Sequence, residues 1–242
     1  MPPPQISVLL PAYNEGILIS KTLECVHTSF AAIGYTSYEI VVCDNNSTDE
    51  TAKIAAAHGA RVAFEPHNQI ARARNTAGGN AHGKWFIFLD ADTFLNPRAL
   101  GETIRAFQSG KFCGGGAILA FDQANSGMLG TSLVWLWNCA SVALNLAAGS
   151  YLFCLNEAWR GVGGFDESYY AGEEIAFSHQ LKRWGKLRGL KFRVRPTMRV
   201  VTSARKIEWY GQWQLFFRSL LMARPNAVRK RQTCDLWYTR PR

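Results

Sequence analysis

Hydrophobic positions in this chain alternate between short unbroken runs and stripes with helical spacing. Residues 6–10 form an apolar run after a proline-rich start, which predicts a buried strand. Four apolar side chains then recur at spacings of four, three and four, which places them on one face of a helix. They are Ile19, Leu23, Val26 and Phe30. This first part of the chain is therefore a predicted β-α unit.

The same alternation continues through the next segments. The predicted strands are residues 38–43 and 61–64, and the predicted helices are residues 51–58 and 71–82. Ser47 with Glu50 three residues later is a capping-box pattern, which predicts where the second helix starts. Strands and helices that alternate in this way, joined by right-handed crossovers, predict an α/β fold with a doubly wound, mainly parallel sheet flanked by helices.

The most informative strand is predicted at residues 84–89. Its apolar residues predict burial on both faces, and Asp90 and Asp92 follow at its end. On an extended backbone these two carboxylates would share one side and face the crevice outside the carboxyl ends of the sheet. Their hard oxygens suit Mg²⁺ or Mn²⁺, so a metal-bound phosphate is the expected ligand. The alternative is that Asp90 ends the strand and Asp92 caps a turn.

The second half of the chain contains less regular patterns. Helices are predicted at residues 98–108 and from Glu173 to a C-terminal Gly185, and strands at residues 112–121, 190–194 and 198–201, the late ones with an antiparallel edge. Residues 123–156 carry no charge. Within them, residues 128–148 predict a buried or membrane-facing helix, and polar residues in this stretch make a true membrane span the less favoured interpretation.

Charge divides the chain at residue 174. Of the 27 basic and 18 acidic residues, 10 and 16 lie in residues 1–174, whereas 17 and 2 lie in residues 175–242. Such a basic end suggests an anionic partner: nucleic acid, an acidic membrane face or substrate phosphates. We divide the chain into a domain at residues 1–205 and a basic, aromatic segment at residues 206–242, which is either a helix docked on the sheet or an interfacial helix at a membrane surface.

Two further features indicate the compartment. The N-terminus shows no secretory pattern, so a cytoplasmic location is expected, with the inner face of a membrane as an alternative. The six cysteines show no Cys-x-x-Cys pair or zinc spacing, so we expect neither disulfides nor zinc.

Five segments in register resemble the family 2 glycosyltransferases, whose nucleotide-sugar-binding fold is called GT-A. The segments are residues 8–15, 42–49, 73–75, 88–92 and 163–167, the last followed by Glu173 and Glu174. Asp90, Ala91 and Asp92 match the Asp-x-Asp motif of that family. The resemblance implies an inverting transferase that uses a nucleoside-diphosphate sugar and a divalent cation, Mg²⁺ or Mn²⁺, held by Asp92 and Asp90.

The resemblance also implies which residues hold the donor. These are Pro11, Ala12, Tyr13, Glu15, Asp44, Asn46, Arg72, Arg74, Asp90, Ala91 and Asp92. Either Arg72 or Arg74 would approach the diphosphate, and a surface helix arginine is the equal alternative. Asn46 has local turn bonding as its alternative role.

The remaining implied residues serve the acceptor. Glu174, with Glu173 beside it, stands where the family usually has Glu-Asp and is the expected base for an acceptor hydroxyl. Gly164 and Asp166 would shape the acceptor turn. The Gln-x-x-Arg-Trp motif of processive members is absent from the sequence, so transfer of a single sugar is expected, to a saccharide or lipid-linked acceptor with peripheral membrane contact.

Two other functions remain as alternatives. The basic C-terminal quarter would suit a non-enzymatic binder of nucleic acid or anionic surfaces, although no nucleic-acid module is visible and no nucleic-acid partner is expected. A nucleotidyltransferase would need a glycine- and lysine-rich phosphate loop, and residues 11–16 do not form one.

Overall fold

The computed structural model describes residues 3–122, 127–205 and 227–238 of the 242-residue chain. Residues 206–226 and 239–242, which include the predicted docked or interfacial helix, lie outside the described residues. Within residues 227–238, two short 3₁₀ turns pack against the preceding domain. There Tyr170 N–H donates to Val228 O at 2.7 Å, and Tyr238 Oη donates to Tyr170 O at 2.8 Å.

The described residues form one sheet flanked by helices. The strands are β1 (Ile6–Ala12), β2 (Tyr38–Asp44), β3 (Arg61–Phe64), β4 (Trp85–Leu89), β5 (Thr93–Phe94), β6 (Phe112–Phe121), β7 (Tyr151–Leu155) and β8 (Lys191–Thr202). The helices are α1 (Ile19–Ala32), α2 (Thr51–Ala57), α3 (Ile70–Gly79), α4 (Pro97–Gln108), α5 (Gly127–Leu144), α6 (Asn156–Val162) and α7 (Glu173–Lys186). The predicted α/β class is therefore confirmed.

The strand order is β3-β2-β1-β4-β7-β6-β8-β5. Strand β1 pairs in parallel with β2 on one side and with β4 on the other. The chain therefore reverses its direction of travel across the sheet between β1 and β4. The crevice at the carboxyl ends of such a pair is where open α/β sheets bind ligands.

Antiparallel pairing is more central than the sequence predicted. Strand β7 lies inside the sheet and runs antiparallel to both β4 and β6, and β5 is an antiparallel edge against β8. The predicted strands 190–194 and 198–201 are one strand, β8, which runs parallel to β6 with a register shift opposite residues 117–118. The shift lets the strand continue through Pro196, because irregular pairing tolerates a missing N–H.

The central strand separates two apolar layers. Trp85, Ile87 and Leu89 face the layer that holds α1 and α4. Phe86 and Phe88 face the layer that holds α3 and α7. All five side chains are buried, as predicted for a strand covered on both faces. The end of this strand is consequently fixed by packing from both sides.

Two predicted helix caps are wrong, although α2 starts at Thr51 as predicted. Helix α2 has Glu50 as its N-cap with no side-chain cap bond, because Ser47 Oγ instead accepts the Asn14 N–H at 2.9 Å. Helix α7 passes through Gly185 to Lys186. A Cβ at Gly185 would lie 2.5 Å from Cys113 Sγ and 2.9 Å from Leu190 O, so close packing, and not chain reversal, requires the glycine.

The uncharged segment contains helix α5 and strand β7. Trp135, Leu136 and Leu144 on α5 are 66%, 60% and 60% exposed. Among the described helices, none is long and apolar enough to cross a membrane. Helix α5 contacts the sheet through Asn138, whose Nδ2 donates to Leu119 O at 2.9 Å.

Candidate functional site

The loops after β1 and β2 hold each other in place. Asn14 adopts a positive φ of 52°, and its Oδ1 accepts the Thr48 N–H at 2.7 Å. In the same loop, the Glu15 N–H donates to Thr51 Oγ1 at 2.7 Å. Asp44 is buried and accepts the Ser47 N–H at 3.1 Å. These bonds fix the carboxylates of the two loops at the crevice edge.

The other predicted donor residues of these loops lie at the same edge. Pro11 and Ala12 end β1 beside Cys43 and Asp44 of β2, and Tyr13 follows directly. Asn46, with a φ of 64°, donates from Nδ2 to Asn68 Oδ1 at 3.3 Å. This bond joins the loop after β2 to the loop before α3.

The Asp-x-Asp segment turns where an extended strand was expected. Thr93 N–H donates to Asp90 O at 3.0 Å, which closes a turn over residues 90–93. Ala91 is buried, and its carbonyl accepts from Thr22 Oγ1 at 2.8 Å. The expectation that Asp90 and Asp92 share one side of an extended backbone is therefore wrong, and each has its own arginine partner.

Asp92 belongs to a carboxylate pair bridged by Arg205. The side chains of Asp92 and Glu15 are each 11% exposed. Arg205 Nη2 donates to both carboxylate oxygens of Glu15 and lies 3.4 Å from Asp92 Oδ2. Buried carboxylates need such a counter-charge, because desolvation otherwise disfavours their ionised forms.

Asp90 belongs to a second cluster, centred on the buried Arg74. Arg74 Nη2 lies 3.0 Å from Asp90 Oδ1 and donates to Gly149 O at 3.2 Å, while its Nη1 donates to Glu173. The guanidinium also lies 5.3 Å from the centre of the Phe165 ring. Arg74 therefore links the end of β4 to the start of α7, where the two glutamates lie.

The two glutamates have different surroundings. Glu173 is buried and paired with Arg74, whereas Glu174 is partly exposed. Burial of its carboxyl and the neighbouring charge of Glu173 raise the pKa of Glu174 to about 8, and the charge of Arg74 partly offsets this rise. A carboxyl with such a pKa is suited to proton transfer near neutral pH.

The predicted acceptor turn is held to α3 by Asn75. Asn75 Nδ2 donates to Phe165 O at 2.9 Å, and Phe165 N–H donates to Asn75 Oδ1 at 2.8 Å. Gly164 has a φ of +77°, and a Cβ there would lie 2.5 Å from Asn75 Oδ1. Asp166 accepts the Ser168 N–H at 2.9 Å, and hydrogen bonds from Ser168 lower its pKa. Both predicted turn residues therefore have a local role in shaping this turn.

The two candidate diphosphate arginines point to different partners. Arg72 is 40% exposed and pairs with Glu167 at 3.1 Å. Arg74 is 3% exposed and is occupied by Asp90 and Glu173. Arg72 thus matches the surface-arginine alternative. Arg74 is buried and holds Asp90 and Glu173 together.

No role was predicted from the sequence for Arg205, Asn75 or Gly149. Asn75 lies in residues 73–75, one of the five segments that resemble the family, so its sequence carried a signal. Arg205 is 190 residues from Glu15 and 113 from Asp92 in the chain. Only the tertiary fold brings it to them.

The donor atoms present suit a hard divalent cation. Asp92 and Asp90 offer carboxylate oxygens, which Mg²⁺ and Mn²⁺ prefer, and such ions commonly bind through one or two carboxylates together with water and substrate phosphates. The described part of the chain has no cluster of three or more His, Cys, Asp or Glu arranged as a full metal cage. The residues therefore fit a cation that is shared with a phosphate ligand.

Comparison with solved structures defines the fold class as GT-A. A mannosyltransferase from Pyrobaculum calidifontis, solved with GDP-mannose and Mn²⁺, superposes with a TM-score of 0.64 at 19% identity, over 98% of this chain and 70% of that one. Glucosyl-3-phosphoglycerate synthase from Mycobacterium tuberculosis, solved with Mn²⁺ and UDP-glucose, gives 0.59 at 20% identity, over 90% and 79%.

Sequence comparison then defines the family. The profile of glycosyl transferase family 2 matches residues 7–147. The chain therefore belongs to the family 2 glycosyltransferases. This result confirms the resemblance and favours an enzyme over the binder and nucleotidyltransferase alternatives.

Two relatives show how far the similarity extends. Chondroitin synthase of Escherichia coli is 35% identical over 110 residues, which are 43% of this chain and 16% of that protein. An Escherichia coli UDP-Glc:α-D-GlcNAc-diphosphoundecaprenol β-1,3-glucosyltransferase is 33% identical over 91 residues, which are 36% of this chain and 34% of that protein. The matches thus cover well under two thirds of these relatives.

Proposed function

We propose that this glycosyltransferase moves one sugar from a nucleoside-diphosphate sugar to an acceptor hydroxyl with inversion at the anomeric carbon. The observation that carries the proposal is that Arg74 pairs with both Asp90 and Glu173. This pairing holds the glutamates of α7 beside the Asp-x-Asp turn. A donor bound at the turn would therefore present its sugar toward Glu174.

The donor would bind along the loops after β1, β2 and β4. The buried carboxylate of Asp44 and the main-chain groups of residues 11–13 offer acceptors and donors for a base and ribose. Solved structures of the fold contain GDP-mannose or UDP-glucose, which supports this donor class. Asp92 would hold a divalent cation, and Asp90, which pairs with Arg74, lies in the neighbouring cluster. When bound, such a cation stabilises negative charge on the departing diphosphate.

Glu174 would act as the base of a single displacement. The acceptor oxygen bonds to the anomeric carbon while the bond from that carbon to the β-phosphate oxygen breaks, and the electron pair leaves with the nucleotide. The hydroxyl proton passes to the Glu174 carboxylate. Glu173, neutralised by Arg74, would hold the start of α7 in position, so the glutamate at 174 can serve where the family usually has aspartate.

The acceptor side includes an exposed apolar helix. Trp135, Leu136 and Leu144 of α5 face solvent, and Lys182 of α7 donates to Leu144 O at 2.9 Å. An apolar face beside a lysine suits peripheral contact with an anionic membrane. The diphosphoundecaprenol-linked acceptor named for one relative supports a lipid-linked acceptor at the cytoplasmic face, with a saccharide acceptor as the alternative.

A donor screen tests this proposal. Nucleoside diphosphates with each common base are added to the full chain with and without Mn²⁺, and the melting temperature is recorded. We expect one base to raise the Tm, and to do so only with the cation, because a ligand that binds the folded state stabilises it by mass action. If no nucleoside diphosphate raises the Tm in either condition, the proposed donor class is wrong.

A further inference from the structure

Arg205 lies in a fixed position beside the proposed metal-binding turn. It follows β8, and the backbone before it is tied down: Ser203 N–H donates to Asp92 O at 3.0 Å, and Ala204 N–H donates to Asp122 Oδ1 at 3.0 Å. The Arg205 side chain is 12% exposed. Its guanidinium is therefore held within the crevice edge and not on an open surface.

The guanidinium lies where two carboxylates converge. Glu15 comes from the loop after β1 and Asp92 from the turn after β4, and Arg205 Nη2 contacts both. Two mostly buried carboxylates so placed repel each other unless a cation lies between them. Arg205 supplies that positive charge.

A divalent cation on Asp92 would compete with this arrangement. A guanidinium and a metal ion both need the carboxylate lone pairs of Asp92, and their positive charges repel each other at contact distance. Cation binding at Asp92 must therefore weaken the contact with Arg205. The guanidinium keeps its pairing with Glu15, and a metal-bound diphosphate would offer it a second anionic partner in place of Asp92.

We propose that Arg205 is a counter-cation that contacts Asp92 until the metal and nucleotide bind, and that it then exchanges Asp92 for the diphosphate while it remains paired with Glu15. This inference rests on the proposed function for its ligand. It predicts that metal and nucleotide bind cooperatively. The metal alone must weaken the contact between Arg205 and Asp92, whereas the metal with a diphosphate also gives Arg205 a replacement for that contact.

Mn²⁺ alone is the probe that tests the competition. Its binding is measured by the EPR signal of free Mn²⁺, without nucleotide, for the wild type, Arg205→Gln and the control Arg98→Gln. We expect Arg205→Gln to bind Mn²⁺ about tenfold more tightly than the wild type, a usual size for coupled sites. Arg98→Gln should match the wild type, because Arg98 is an exposed arginine on α4 that pairs with Glu102.

The melting temperatures of the same proteins, with and without Mn²⁺, provide a second test. Arg205→Gln should lower the Tm without metal, because two carboxylates lose their cation, and Mn²⁺ should restore more of the Tm in this variant than in the wild type. If Arg205→Gln does not fold, Arg205→Lys replaces it. That variant keeps the positive charge but lacks the planar guanidinium with its paired N–H donors. Its Mn²⁺ affinity should therefore exceed the wild-type affinity by less than tenfold.

The outcomes separate this inference from the proposed function. Equal or weaker Mn²⁺ binding by the folded Arg205 variant would overturn the competition. A wild type that binds no nucleoside diphosphate, while Arg205→Gln still binds Mn²⁺ more tightly, would overturn the donor assignment and leave the competition at Asp92 supported.

Discussion

The guanidinium Nη2 of Arg74 lies 3.0 Å from Oδ1 of Asp90. Through this contact, a helix that follows β3 is joined to the first carboxylate of the Asp-x-Asp turn. The same arginine donates to Glu173 at the start of α7. One buried cation thus sets the separation between the proposed donor turn and the proposed base.

Replacing Arg74 should destabilise the fold strongly. Arg74→Gln leaves the buried Glu173 without its cation, and breaking a buried ion pair in this way costs about 3–5 kcal/mol. Urea denaturation followed by circular dichroism measures the loss. Arg72→Gln, which removes an exposed pair on the same helix, should cost less than about 1 kcal/mol. Equal losses in the two variants would show that Arg74 is not the organising cation.

The position of the Arg74 guanidinium should require a glycine at residue 149. A Cβ at this position would lie 2.7 Å from Arg74 Nη2, so Gly149→Ala must displace the guanidinium. Such overpacking costs about 1–3 kcal/mol, and transfer activity should fall with it. Gly79→Ala is the matched control, since a Cβ there meets nothing within 4 Å. That change should be neutral or stabilise α3 by up to about 1 kcal/mol.

Activity should depend on the protonation of Glu174. Its pKa is raised to about 8 by burial and by Glu173, so the carboxylate form that accepts a proton is lost as the pH falls below that value. We expect kcat to decrease below about pH 8 along a single ionisation. Glu174→Gln should lower kcat by about 10²- to 10⁴-fold while donor binding persists. A variant with normal turnover would exclude Glu174 as the base.

The raised pKa of Glu174 also determines the sign of a pH effect on the free energy of unfolding. Because the folded-state pKa of Glu174 is raised, the folded state binds more protons than the unfolded state between about pH 4.5 and pH 8. The free energy of unfolding contributed by this group therefore falls as the pH rises through that window. Glu174→Gln should remove this dependence and be the more stable protein above pH 8. Parallel stability curves for both proteins would contradict the raised pKa.

The sequence predicted the parts of the fold that local periodicity controls. Helix α1 buries the four predicted side chains, and β3 has the predicted bounds. Strand β7 was missed because Tyr151 and its neighbours form a short apolar run at the end of a longer uncharged stretch, most of which was interpreted as one helix. Strand β8 was divided in two because Pro196 normally breaks pairing, and only the register shift opposite residues 117–118 allows it to continue.

The site was predictable in its residue types but not in its geometry. Asp90 and Asp92 could be selected because two carboxylates follow a buried strand, and Glu173 and Glu174 because they stand at the position of a family motif. Their division into two clusters depends on the turn at residues 90–93 and on Arg74 and Arg205. Arg205 comes from a distant part of the chain, and no local pattern predicts ion pairs at that separation.

The most direct test of the central claim is calorimetric titration of the nucleoside diphosphate selected by the donor screen, with and without Mn²⁺, into the wild type, Asp92→Asn and the control Asp166→Asn. If Asp92 holds the cation that binds the diphosphate, Mn²⁺ should tighten binding by at least about tenfold, since even outer-sphere partners of a metal contribute that much. Asp92→Asn should lose this gain, and Asp166→Asn should keep it. Full Mn²⁺-dependent affinity in Asp92→Asn would contradict the account.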